Sequence, residues 1–213
     1  MKINADEIAR TALRLLNEVG LDGLTMRLVA KELGVQAAAL YWHVRNKRLL
    51  LDAMAAIIHT EGLAGLDSPG PDLPWDEWCA ETARGLRAGM LRYRDGARVF
   101  AGTHVDDPLV YDMTERTLRI LVAAGFPLRD AARGFPTLFH FTVGFTIEEQ
   151  ARAGTDYGED NPYRPDRLDG STDAQRFPLL ARAIHDLFDI DADASFEYGV
   201  QVILDGMKTQ LPP

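Results

Sequence analysis

The side chains best suited to gripping another molecule are crowded between Thr25 and Arg48. Gln36, Tyr41 and His43 can form hydrogen bonds, and Arg45, Lys47 and Arg48 place three cations within four positions. Fixed cations suit phosphates, whereas amides, imidazoles and aromatic rings suit base edges and sugars. Between them, Leu40 and Val44 recur at helical spacing. A short helix that hides Leu40 and Val44 leaves Gln36, Tyr41 and His43 outside. The chemistry this predicts is recognition of a polyanion, without bond-making.

The flanking residues supply the elements such a helix needs. Thr25 is an N-cap for a helix carrying Leu28, Val29 and Leu33, and Gly34 can take the positive φ of a tight turn. Gln36 to Val44 then forms a second helix, so Leu24 to Leu50 reads as a helix-turn-helix. Its second helix would enter the major groove of duplex DNA. Ahead of it, Asn4 and Glu7 form a capping box, and Ile8, Ala12, Leu15, Leu16 and Val19 line one face of a helix over Ala5 to Val19, ended by Gly20. A fourth helix starts near Asn46 and carries Leu49, Leu50, Ala53, Met54, Ile57 and Ile58.

The formal net charge of −9 over 213 residues opposes DNA binding if taken alone. Its distribution does not. Residues 1–50 hold Lys2, Arg10, Arg14, Arg27, Lys31, Arg45, Lys47 and Arg48 against Asp6, Glu7, Glu18, Asp22 and Glu32, a net +3 that leaves −12 for the remainder. A basic head on an acidic body orients the chain toward a polyanion. Cys79 is the single cysteine, so no intrachain disulfide can form. No apolar run reaches the roughly 18 residues of a membrane span. With no signal-peptide pattern either, a cytoplasmic location is expected.

Asp67-Ser68-Pro69-Gly70-Pro71-Asp72-Leu73-Pro74 breaks the chain, since three prolines in eight residues cannot continue a helix. The expected domains are 1–62, with its motif at 25–44, and 74–211. The second body reads as helices over about 75–94, 109–124, 129–153 with a kink at Pro136, 178–188 and 194–210. A polar Gly/Asp/Pro-rich loop is expected over 154–176. No segment alternates with strand period, so the fold class is all-α.

Two late helices carry broad apolar stripes. One holds Phe135, Leu138, Phe139, Thr142, Phe145 and Thr146. The other holds Phe196, Val200, Ile203, Leu204 and Met207, with Gly199 and Gly206 seven residues apart. Repeated helical glycine suggests close approach of another helix. Both a two-fold four-helix interface between copies and an intrachain core satisfy these stripes.

Other constellations point away from catalysis. His43, His59, His104, His140 and His185 include no HxH or HxxxH pair, so a structural zinc site is not expected. Positions 140 and 148 lie about two turns apart on one helix, too far for an acid–base dyad. A lone cysteine on an apolar face is usually a small buried hydrophobe.

Leu40-Tyr41-Trp42-His43-Val44-Arg45-Asn46-Lys47-Arg48-Leu49-Leu50 resembles the signature of TetR-family transcriptional regulators. The likeness extends to Leu91-Arg92-Tyr93-Arg94-Asp95-Gly96-Ala97, to Gly102-Thr103, and to His140-Phe141-Thr142-Val143-Gly144 with Glu148 and Gln150. These body motifs resemble the subgroup with a tetracycline-repressor-like ligand domain. The resemblance implies an N-terminal three-helix head with a connecting helix, and a C-terminal domain for ligand binding and dimerisation. It also implies that Arg27 reads guanine, that Lys47 binds phosphate, and that Tyr41, Trp42 and His43 touch backbone or a thymine methyl. Thr25 and Gln36 complete the DNA-facing set with Ala37, Ala38 and Ala39, where tetracycline repressors carry polar or proline side chains. Alanines can contact thymine methyls but donate no hydrogen bond, so a different operator is expected.

The ligand residues depart further. Phe100 stands where the subgroup has a histidine that ligates drug-borne Mg²⁺. Thr82, His104 and Arg116 stand where it uses asparagine, arginine and glutamine. Thr103 and Glu148 are retained. A hard cation wants oxygen ligands, which favours a metal-free, bulky, largely apolar effector. Leu86, Met90, Phe100, Met113, Phe135 and Phe139 are the expected walls, and His104, Arg116 and His140 the polar fixtures. No cofactor is expected, with Mg²⁺ entering only with a tetracycline-like chelate. The function expected is a homodimeric repressor, not an enzyme, released from a palindromic operator by a small molecule and with no membrane partner. Two alternatives stand: a Mg-tetracycline-responsive repressor of a resistance exporter, and a DNA-binding regulator controlled by a protein partner.

Overall fold

The computed structural model describes residues 3–64, 66, 73–103, 107–153, 160–168, 172–188 and 191–211. Among the described residues all regular structure is helical. The head comprises α1 (Ala5–Gly23), α2 (Met26–Glu32), α3 (Ala37–Tyr41) and α4 (Lys47–Gly62). Three side-chain caps set their starts. Asn4 accepts from the Glu7 amide, Thr25 from Leu28 and Asn46 from Leu49. Each satisfies an orphan N–H that would otherwise need water. Ile8, Leu16, Leu24, Leu40, Leu50, Met54 and Ile58 are fully buried between these helices.

Gly20 interrupts α1 at φ 68 and ψ 175, and one further turn follows before Leu24. The expected stop at Gly20 is therefore a bend with the helix resuming beyond it. The Leu24 amide still reaches the Gly20 carbonyl at 3.1 Å, which closes that extra turn. The recognition helix is shorter than the expected Gln36 to Val44. It spans Ala37–Tyr41 and closes with turn bonds from His43 and Val44 to the Leu40 carbonyl.

The body comprises α5 (Trp75–Leu91), α6 (Gly96–Phe100), α7 (Pro108–Ala123), α8 (Leu128–Ala153), α9 (Pro165–Leu168), α10 (Pro178–Leu187) and α11 (Ala192–Lys208). Neither α6 nor α9 was expected, because four or five residues are too few to show a periodicity. α9 falls in the stretch expected to be loop. Most of the Asp67–Pro74 linker lies outside the described residues.

Glycine brings α4 and α5 into backbone contact. A Cβ on Gly85 would stand 2.5 Å from the Gly62 carbonyl oxygen, and one on Gly89 would stand 2.7 Å from that of Ile58. The connecting helix therefore rests on the body without intervening side chains. α8 divides its apolar residues three ways. Leu138, Thr142 and Thr146 are buried in the core. Phe141 and Phe145 turn toward Phe196 of α11, with ring centroids 5.7 and 5.4 Å away. Phe135, Phe139, Val143 and Ile147 recur at four-residue spacing and face a cavity. Gly199 is explained inside the chain, because a Cβ there would strike the Phe141 ring, whereas Gly206 faces open space.

Candidate functional site

The candidate nucleic-acid face and the cavity lie at opposite ends of α4. On the first, Thr25, Arg27, Gln36, Ala38, Tyr41, Trp42 and His43 are exposed. Trp42 is 88% exposed and Tyr41 47%, a large aromatic surface open to a partner. The three alanines are not equivalent. Ala37 and Ala39 are half-buried against the head core, and Ala38 alone points fully outward. Lys47 donates from Nζ to the Leu21 carbonyl at 3.2 Å, so its ammonium already ties α4 to the end of α1. Two of its three protons remain for a phosphate. Arg48 reaches away from this face and donates to the Gly102 carbonyl, while Nε pairs with Asp52 at 3.4 Å.

At the other end, α4, α5, α6, α7 and α8 enclose a cavity of about 510 Å³. Its walls bring together Thr82, Leu86, Phe100, Thr103, Met113, Phe135, Phe139 and His140 from the residues singled out in sequence. Met90 is fully buried in the neighbouring core and does not reach it. Arg116 instead donates to the Leu66 carbonyl at 3.2 Å and lies over the Trp78 ring. Glu148 is exposed on α8 and outside the cavity. His104 lies outside the described residues.

Sequence reasoning missed His59, Leu63, Val110, Thr114, Val143 and Ile147 as wall residues. A usable signal existed. His59 and Leu63 extend the apolar face of α4 at i,i+4, and Val143 and Ile147 extend the ladder begun by Phe135 and Phe139. The lining is mostly apolar, and the rings of Phe100 and Phe139 meet at 5.8 Å. Among the described residues, no three His, Cys, Asp or Glu side chains are grouped so as to hold a metal. Cys79 is buried, and burial pushes its thiol up to about 12, so it is no nucleophile at neutral pH.

Short connections join the cavity to the head. Phe100 ends α6, and the next two residues carry the Gly102 carbonyl that Arg48 holds. At the start of α6, Asp95 accepts from the Leu21 amide at 2.8 Å and pairs with Arg98 at 3.2 Å, which also meets Asp22. Gln150 of α8 braces this segment, accepting from Ala97 and donating to the carbonyls of Met90 and Tyr93.

Comparison with known proteins agrees with this layout. Residues 8–54 match the model for bacterial regulatory proteins of the tetR family, and residues 68–211 match the tetracyclin repressor-like C-terminal domain. The class A tetracycline repressor of Escherichia coli is 42% identical, over 97% of this chain and 91% of its own. A possible TetR family regulator from Streptomyces coelicolor A3(2) superposes with a TM-score of 0.84 at 40% identity, covering 97% of this chain and 99% of its own. ActR of Streptomyces coelicolor, solved in complex with actinorhodin, gives 0.82 at 32% identity over 98% and 97%. An exposed helix-turn-helix face, an apolar cavity behind it and matches spanning both halves place this chain in the TetR family of bacterial transcriptional regulators, with a tetracycline-repressor-like C-terminal domain.

Proposed function

We propose that this chain is a homodimeric repressor, released from a palindromic operator by a bulky, largely apolar small molecule. The observation that carries the reading is the apolar cavity whose wall includes Gly102, the residue that holds Arg48 at the head of α4. A ligand that fits better when this wall moves shifts the dimer toward the conformation with that wall. The two recognition helices then no longer match half-sites about 34–36 Å apart. The contacts to DNA are assigned to Thr25, Arg27, Gln36, Ala38, Tyr41, Trp42, His43 and Lys47, within a head domain of 1–62. The effector is assigned to the cavity between domain 74–211 and the end of α4.

The second copy is assigned to the outer face of α8 and α11, where Tyr198 and Val202 are exposed and Gly206 opens a groove beside Gly134 and Thr137. Two copies are needed because one five-residue recognition helix reads too few base pairs. No catalytic activity is assigned. We assign the working protein to the cytoplasm because its target is DNA; among the described residues no helix is long and apolar enough to cross a membrane.

A Mg-tetracycline inducer is the second reading, favoured by the 42% identity to a tetracycline repressor. The residues present fit the metal poorly. Phe100 offers no lone pair to a cation, and Glu148 stands outside the cavity. ActR, solved in complex with actinorhodin, supports an effector other than a tetracycline. The deciding experiment selects an operator from random duplex DNA at near-physiological salt, then titrates compounds against the complex. Enrichment of a palindrome and stoichiometric release by a small molecule uphold the reading. Binding that only fades with salt, without sequence preference, would overturn it.

A further inference from the structure

His59 is a buried imidazole whose hydrogen-bonding capacity the described residues leave unused. It sits on α4 with 9% of its surface exposed and lines the cavity. Its ring lies parallel to that of Phe100, with 4° between planes and 6.3 Å between centroids. It donates no hydrogen bond to any described residue. The other polar groups of the wall are committed. Thr82 donates to the Trp78 carbonyl at 2.8 Å, Thr103 to that of Phe100 at 2.6 Å, and Thr114 to that of Val110 at 2.8 Å. Their oxygens can still accept, but their protons are spent. His140 stands exposed at the mouth, edge-on to Phe139. Among the described residues, His59 is thus the interior side chain of this wall with an uncommitted N–H.

We propose that His59 selects the effector by donating its N–H to a neutral carbonyl oxygen on an otherwise apolar ligand. This rests on the cavity being the effector site. A ligand acceptor keeps this N–H bonded when water leaves the cavity, whereas an apolar isostere displaces the water and leaves the donor unpaired. Burial pushes the imidazole below its ordinary range, with Asp107 partly opposing. The ring therefore works as a neutral, single-proton donor, suited to a ketone or amide rather than to a carboxylate.

The test compares 9-fluorenone with fluorene, which share a shape and differ by one carbonyl. Binding to the full-length protein is followed by titration, and the ring nitrogens of His59 by ¹⁵N NMR. The wild type should prefer fluorenone by roughly tenfold, the worth of one hydrogen bond to an otherwise unpaired buried donor. His59→Phe keeps an aromatic ring and should bind both probes like fluorene. His59→Gln restores an N–H and should recover part of the preference. The His59 resonance should move with fluorenone and not with fluorene. An undiminished preference in His59→Phe, or a resonance that ignores the carbonyl, overturns the proposal. Val110→Trp fills the cavity from α7 and should abolish binding of both probes. Unchanged binding in that variant, or none to the wild type, would overturn the cavity assignment itself.

Discussion

Asp95 and Leu21 join body to head, the Leu21 amide donating to Asp95 Oδ2 at 2.8 Å. Both partners occupy special backbone. Asp95 has φ 58, the one positive value at a described non-glycine residue, and Leu21 follows Gly20 at φ 68. Asparagine and aspartate tolerate this region better than most residues. The contact holds α6, whose far end is Phe100, against the bend in α1. Asp95→Ala strands the Leu21 amide and strains the backbone, at a cost of about 1–3 kcal/mol. Effector affinity should change little, because the cavity is untouched. Operator release at saturating effector should weaken, because one tie between cavity and head is gone. Operator titrations with and without effector check this. Full release by the variant would show that the tie carries no coupling.

The recognition helix offers a sharper comparison between neighbouring alanines. Ala38 is exposed, whereas Ala39 packs against the head core. Ala38→Gln should leave the melting temperature nearly unchanged and shift the base preferred at one position of each half-site, by about 1–3 kcal/mol of discrimination. Ala39→Gln should destabilise the head instead. Operator selection and thermal melts on both variants decide it, and an unchanged consensus for Ala38→Gln would remove that residue from the DNA face.

How much was legible in the sequence depends on how locally each feature is encoded. The caps at Asn4 and Thr25, the start of α4 near Asn46 and the helix-turn-helix were legible, because their signals lie within three or four residues. The all-α class followed from period alone. The seating of α4 on α5 was not legible, since Gly62 lies far in sequence from Gly85 and Gly89 and the three acquire meaning only when their backbones meet. Met90 and Phe100 both read as cavity walls, yet one is sealed in core and the other faces the void. Periodicity gives the inward face of a helix but not what lies beyond it. His59 was weighed only as a metal ligand, and its role waited on knowing that Phe100 lies parallel to it.

Phe100 also separates the two effector chemistries. It is 4% exposed and packs on both His59 and Phe139. Phe100→Ala would cost about 3–5 kcal/mol and confound any reading of function. Phe100→Leu keeps apolar volume and should alter effector response while leaving operator affinity of the ligand-free protein within a few-fold. Induction of the wild type by its effector should persist in excess EDTA. Loss of induction on chelation, restored by Mg²⁺, would return the tetracycline reading to first place.

The buried imidazole gives the fold a pH signature of defined sign. His59 is held below the ordinary value of 6.5, with burial the larger cause and the Asp107 charge opposing it. Above 6.5 the ring is neutral in both states and contributes no slope. As pH falls through 6.5, the unfolded chain takes up a proton that the folded chain refuses. The unfolded state then binds more protons, so stability falls with pH until the folded ring also protonates. The wild type should therefore lose melting temperature faster than His59→Phe between about pH 7 and 5.5. A neutral-carbonyl effector should ease the wild-type loss, because the imidazolium donates the same hydrogen bond more strongly and the bound carbonyl therefore raises the folded pKa. Melting curves of both proteins across that range, with and without ligand, check this. Parallel slopes would mean that His59 meets the same electrostatic environment folded and unfolded, which its burial beside Phe100 contradicts.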